Sequence, residues 1–129
     1  MKTAEDIESF LDQLEYDFEK PRPNDTWLVH CSDHIDKLVI TIAGPVVVFR
    51  VKVMELPRAS REELFRTLLE LNATEMMHGA YGIEDDAVVI TDTLQLENLD
   101  YNEFAATVDD ITLAVTSHLG RLGKYREAA

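Results

Sequence analysis

The sequence predicts an α+β fold: a twisted antiparallel sheet of about five strands packed by three helices, in the order α-β-β-β-α-β-β-α. Three observations carry this reading. Apolar residues recur at spacings of three and four in three stretches, and alternate at a period of two in five others. Connections between neighbouring strands are short and rich in Gly, Pro and Asp, which suits antiparallel hairpins, because a parallel pair needs a long crossover. A chain of 129 residues is enough for one domain around one core, and no repeat, low-complexity tract or linker points to a second. The domain thus spans residues 1–129, with 122–129 expected to fray. Helices gathered on one face of the sheet is the expected packing.

The first helix covers about residues 3–19, where Ile7, Phe10, Leu11, Leu14 and Phe18 make one apolar stripe. Thr3 and Asp6 stand at capping-box spacing, and the prolines at 21 and 23 end the segment. Trp27, Val29 and Cys31 alternate with Leu28 and His30 in the first strand, which Ser32-Asp33-His34 turns back. Leu38, Ile40 and Ile42 mark the second strand, closed by Ala43-Gly44-Pro45. The third carries Val47, Phe49, Val51 and Val53 on one face and Val46, Val48, Arg50, Lys52 and Met54 on the other.

Ser60 with Glu63 suggests a capping box for a second helix, whose leucines run to about Asn72. Two further strands, near 75–84 and 87–96, flank a hairpin turn at Glu84-Asp85-Asp86. The last helix opens at Asp100 and runs to about 121, with Phe104, Val108, Ile111, Val115, Leu119 and Leu122 as its stripe.

Composition narrows the function. Twenty-five acidic residues against 12 basic ones give a formal net charge of −13, which repels phosphate backbones and anionic membrane surfaces. No nucleic-acid or membrane partner is expected. The N-terminus has no apolar signal segment, and the one cysteine, Cys31, cannot form an internal disulfide; both fit the cytoplasm.

Candidate chemistry is thin. His30, Cys31, Asp33, His34 and Asp36 are the densest cluster of metal-ligating types, but His30 and Cys31 are strand neighbours and point to opposite faces. Cys31 shares its face with Trp27 and Val29, so an inert, buried thiol is the simpler account. Gly79-Ala80-Tyr81-Gly82 spells an RNA-clamping loop, yet it lies in a strand beside acids, where glycine signals close backbone approach. Neighbouring acids such as Asp85-Asp86 and Asp109-Asp110 read as solvated. No catalytic residue, metal or cofactor is expected, and the chain reads as a non-enzyme.

The second half carries a resemblance. Leu68-Leu69-Glu70-Leu71-Asn72, Gly79-Ala80-Tyr81-Gly82-Ile83-Glu84-Asp85-Asp86, Val88-Val89-Ile90 and Leu94-Gln95-Leu96-Glu97-Asn98-Leu99-Asp100 resemble the YbjN-like domain family. In layout they are equally similar to the class I chaperones of type III secretion systems, such as the Tir chaperone. The likeness is clearest over residues 60–122 and departs from the usual pattern at Met76-Met77-His78. It implies a homodimer and, on the chaperone side, a partner polypeptide wrapped around the domain in extended form. It carries no catalytic residue to these positions.

One imbalance in the sheet points the same way. Val29, Leu38, Ile40, Phe49, Val51, Val53, Val88 and Ile90 should meet the helices, leaving the other face polar if it only met water. That face instead carries Leu28, Val39, Val46, Val48, Met54, Met76 and Val89, which are expected to bind a polypeptide or else to be covered by the last helix or a second copy. Leu64, Phe65, Leu68 and Leu69 exceed one narrow stripe on the second helix, so they are expected at a two-fold interface with a second copy. The expected function is a chaperone-like or regulatory adaptor domain that binds an extended segment of another protein. The alternative is a small-ligand sensing regulatory domain, with the ligand between sheet and helices.

Overall fold

The computed structural model describes residues 1–20, 25–33 and 37–127. Three helices and six strands follow in the order α1 (Ala4–Leu14), β1 (Asp17–Glu19), β2 (Thr26–His30), β3 (Leu38–Ala43), β4 (Val46–Glu55), α2 (Arg61–Thr74), β5 (Ala80–Glu84), β6 (Ala87–Gln95) and α3 (Tyr101–Glu127). The strands form one antiparallel sheet in the order β1-β2-β3-β4-β6-β5. The expected α+β class and antiparallel sheet are present, with one strand more than expected.

That extra strand is β1. The backbone N–H of Thr3 donates to Asp6 Oδ2 at 2.8 Å, so α1 starts at the foreseen box. It stops at Leu14, because Glu15 turns left-handed at φ +62° and closes the helix. Phe18, expected on the helical stripe, instead lies opposite Val29 in β1. A residue four positions after Leu14 fits a helix and a strand end equally well, so spacing alone could not separate them.

Two hairpins show why the strands turn where they do. Gly44 holds φ +60° between β3 and β4. Asp85 and Asp86 both hold positive φ, 50° and 60°, which a tight two-residue turn between right-twisted strands requires. Aspartate tolerates that region better than most residues. Where the chain enters β5, Gly79 sits at φ +79°, and a Cβ there would lie 3.0 Å from the Thr91 carbonyl oxygen. The close backbone approach read from the sequence is real at Gly79. At Gly82 a Cβ would meet nothing within 4 Å.

Helix 2 starts after Ser60 as expected, but without the capping box. Ser60 adopts φ +60°, outside the extended region an N-cap needs, and its side chain makes no cap bond. Arg61 Nε donates to the Pro57 carbonyl at 2.6 Å instead. By contrast Asp100 Oδ1 accepts the Glu103 N–H at 2.7 Å and starts α3 as expected. α3 then runs on to Glu127, so most of the segment expected to fray is helix, with Leu122 and Tyr125 each 2% exposed. Tyr125 is held there by bonds to Glu63 Oε1 (3.1 Å) and Thr67 Oγ1 (3.2 Å) on α2.

The core lies between one sheet face and the helices. Trp27, Val29, Leu38, Ile40, Val47, Phe49, Val88 and Ile90 supply the sheet side, and Ile7, Leu11, Leu64, Phe104 and Val108 the helical side. Phe104 joins the two, its ring 5.5 Å from Phe49 and 5.4 Å from Phe10. Buried Trp27 satisfies its indole N–H on Glu8 Oε2 at 3.1 Å, and Lys20 reaches the same oxygen at 3.3 Å. Those two donors hold the Glu8 carboxyl below the usual range.

Candidate functional site

Alternation along each strand sends every second side chain to the sheet face away from the core. Register then builds rows across the strands. Leu28 lies beside Val39, and Val39 beside Arg50. Val48 lies between Thr41 and Thr93, Val46 beside Gln95, and Lys52 beside Val89. Leu28, Val39, Val46 and Val48 are all half-buried. Five of the seven residues expected on a polypeptide-binding face therefore do share it.

Two do not. The ladder between β4 and β6 shifts between Lys52 and Met54, so Met54 stands opposite Val88 and turns into the core at 5% exposure. A bulge inserts one residue and flips the alternation beyond it. Met76 lies outside the sheet altogether. β5 begins only at Ala80, and Met76 sits in the connection from α2, packed against the core from the helical side.

The open face is not uniformly apolar. Arg50 pairs with Glu84 at 3.3 Å, spanning from β4 to β5 across β6. Lys52 pairs with Glu55, and Lys37 with Glu19, which holds the Glu19 carboxyl below its usual range. Val89 is only 7% exposed, although it faces this side. Long charged side chains cover apolar surface with their stems, and Arg50, Lys52 and Glu84 stand around Val89 in a shared depression. That depression, about 290 Å³, adjoins a second of about 200 Å³ beside Leu28 and Phe18, and Lys37 lines both. Together they run across the sheet from β6 to β1.

The helical side carries a second cleft, of about 140 Å³, between the α2–β5 connection and α3. His118 forms part of its wall and is 3% exposed. Its Nδ1 lies 2.7 Å from the Tyr81 hydroxyl and its Nε2 3.3 Å from Glu75 Oε1. An ionised carboxylate only accepts, so Nε2 carries a proton; in the neutral imidazole Nδ1 then accepts the Tyr81 O–H. Arg121 Nη1 donates to Glu75 Oε2 at 2.8 Å and, with His118, holds that carboxyl low. Burial, then the charge of Glu75, pushes the Tyr81 hydroxyl up. A separate pair, His78 Nδ1 with Asp110 Oδ2 at 2.5 Å, closes the cleft's other end. Sequence reading missed His118, although its spacing from Ile111, Val115 and Leu122 puts it on the buried stripe. Leu119, expected there, is half-buried.

Cys31 is half-buried, and burial pushes its thiol up, as for an inert core cysteine. Nearby Tyr16 donates to Asp109 at 3.2 Å, and burial with that charge raises its hydroxyl to about 12. His30 lies 3.1 Å from Asp33, while His34 and Asp36 fall outside the described residues. No group of three or more metal-ligating side chains occurs among the described residues. Among those residues, no helix is long and apolar enough to cross a membrane.

This arrangement of three helices and a six-stranded antiparallel sheet matches the folds of type III secretion chaperones. Residues 1–128 match the CesT_Tir_1 family, a type III chaperone family, and the chain belongs to it. Among solved structures it is similar to YbjN from E. coli (TM-score 0.70, 16% identity, 93% of each chain). It is also similar to a chain of the ExoU–SpcU complex from the Pseudomonas aeruginosa type III secretion system (TM-score 0.69, 14% identity, 86% of this chain and 93% of that one). A third is in the structure of the Yersinia pestis type III secretion chaperone SycH with a fragment of YscM2 (TM-score 0.66, 13% identity, 89% and 98%). No curated protein matches the sequence.

Proposed function

We propose that this chain is a non-enzymatic, chaperone-like module that binds an extended segment of another polypeptide across the open face of its sheet. The observation that carries this is the apolar open face, where Leu28, Val39, Val46 and Val48 lie side by side with two adjoining depressions rimmed by paired charges. Such a surface offers shallow pockets for alternate side chains of an extended chain, with polar groups left over for its backbone. Family membership and similarity to structures of chaperones with bound polypeptides support the same reading. With a formal net charge of −13, the module favours a neutral or cationic segment and repels acidic ones. It would act in the cytoplasm, on a partner not yet folded.

A second copy fits the outer face of α2 under this reading. Leu69 is 67% exposed and lies with Phe65 and Ala73 in a shallow apolar depression flanked by Glu62, Arg66 and Glu70. Of the four residues expected at that interface, Leu64 and Leu68 are instead 0% and 4% exposed in the chain's own core. Phe65 and Leu69 remain available to a second copy.

Val48 is the position to test. It is half-buried in the middle of the face, between two threonines, so a carboxylate there can stay hydrated while the fold survives. Tagged wild type and Val48→Asp would be purified from native lysate and their bound proteins compared by mass spectrometry. We expect one or two proteins held by the wild type to fall by about tenfold or more, the loss of one apolar anchor. Equal recovery by both, with both folded, would remove the open face from the proposal.

A further inference from the structure

β5 is an edge strand, so one side of its backbone has no strand to pair with. Antiparallel pairing points the N–H and C=O of alternate residues toward the neighbour and away from it. At Tyr81 both groups turn away from β6, because both bond to a side chain of α2. Asn72 Oδ1 accepts the Tyr81 N–H at 2.7 Å, and Asn72 Nδ2 donates to the Tyr81 carbonyl at 3.2 Å. Ile83, two residues on, must also face outwards, and no protein partner for its N–H occurs among the described residues.

A carboxamide carries one donor and one acceptor side by side, the two functions a strand residue offers its antiparallel neighbour. Asn72 is half-buried in the last turn of α2, next to Leu71 at 1% exposure, so its position is set by the core. It thereby occupies the middle of a five-residue edge. In a two-fold antiparallel pairing of β5 with β5, residue 84 of one copy would meet residue 80 of the other. Glutamate would then face alanine, so local charge does not forbid that contact.

We propose that Asn72 is an edge guard: it stands in for a seventh strand at Tyr81 and so prevents β5 from pairing with β5 of a second copy. A polypeptide partner is thereby left the open face and the far edge of the sheet. The inference holds whatever the open face binds.

Two measurements test it. In the wild type, amide exchange followed by NMR should be at least about tenfold slower at Tyr81 than at Ile83, although both face outwards. Sedimentation over a range of concentrations should show Asn72→Ala forming a species of twice the wild-type assembly mass. Asn72→Ala/Ile83→Pro should return to the wild-type state, because proline removes the outward N–H without breaking a bond to β6. Should Asn72→Ala prove insoluble, Asn72→Leu, close in size and unable to donate or accept, takes its place with the same readouts. Tyr81 exchanging as fast as Ile83, an unchanged assembly state, or association that persists in the double variant would each overturn the proposal.

Discussion

Leu68→Asp is expected to leave no folded protein, whereas Leu69→Asp, one residue on, is expected to melt within a few degrees of the wild type. Both sit in the middle of α2, and both looked like interface residues in the sequence. Leu68 is 4% exposed and packed in the domain's own core, while Leu69 is 67% exposed. Placing a carboxyl at Leu68 removes a buried side chain, worth about 2–5 kcal/mol, and adds an unpaired polar group that costs at least about 1–3 kcal/mol. The sum approaches the whole stability of a typical domain, about 5–15 kcal/mol. Circular dichroism melts of the two variants decide the matter. A cooperative transition for Leu68→Asp near the wild-type temperature would show that α2 is packed the other way round. If α2 pairs two copies, Leu69→Asp should also lower the dimer fraction without unfolding the chain.

Ending the chain after Arg121 is expected to destabilise it by about 3–6 kcal/mol, from full burial of two large side chains at about 1.5–3 kcal/mol each. Leu122 and Tyr125 are those side chains, each 2% exposed. The truncation also strips Glu63 of Lys124 and Tyr125, the groups that hold its carboxyl below the usual range. A melting temperature lowered by about 10 °C or more is the expected result. A truncated chain that melts with the full-length protein would mean that the last turns of α3 contribute nothing to the core.

Most of the fold was legible because period two and period three-to-four are hard to confuse over long stretches. β3, β4 up to Lys52 and β6 follow their apolar alternation, and α3 follows its stripe except at His118 and Leu119. Legibility failed where one residue changes the phase. The irregularity after Lys52 turns Met54 inward, and nothing in Val51-Lys52-Val53-Met54 announces it. β5 starts at Ala80 because Gly79 brings the backbone against Thr91, so Met76 never joins the sheet. Phe18 and the three-residue β1 were lost to a helical spacing that a short strand satisfies equally well.

The candidate face was legible in the same measure. Leu28, Val39, Val46, Val48 and Val89 follow from alternation alone, but their cover does not. Val89 is shielded by charged side chains from three different strand positions, an arrangement that only the register reveals. His118 was missed because a polar residue on an apolar stripe breaks the pattern, and its partners Tyr81 and Glu75 are 37 and 43 residues away. Tertiary hydrogen bonds of that range leave no local trace. Asn72 shows the same limit: its place at the end of α2 was visible, and its two bonds to Tyr81 were not.

The central claim is that an extended polypeptide crosses the open sheet face, and a photo-crosslinking residue at position 48 tests it most directly. Expressed in the native cell and irradiated, the variant should give one discrete adduct, whose site maps to a short segment of a single partner protein. The same crosslinker at position 113, exposed on α3 beside the helical cleft, should give no such adduct. Adducts at 113 and none at 48 would contradict the account and move the binding surface to the helical side of the domain.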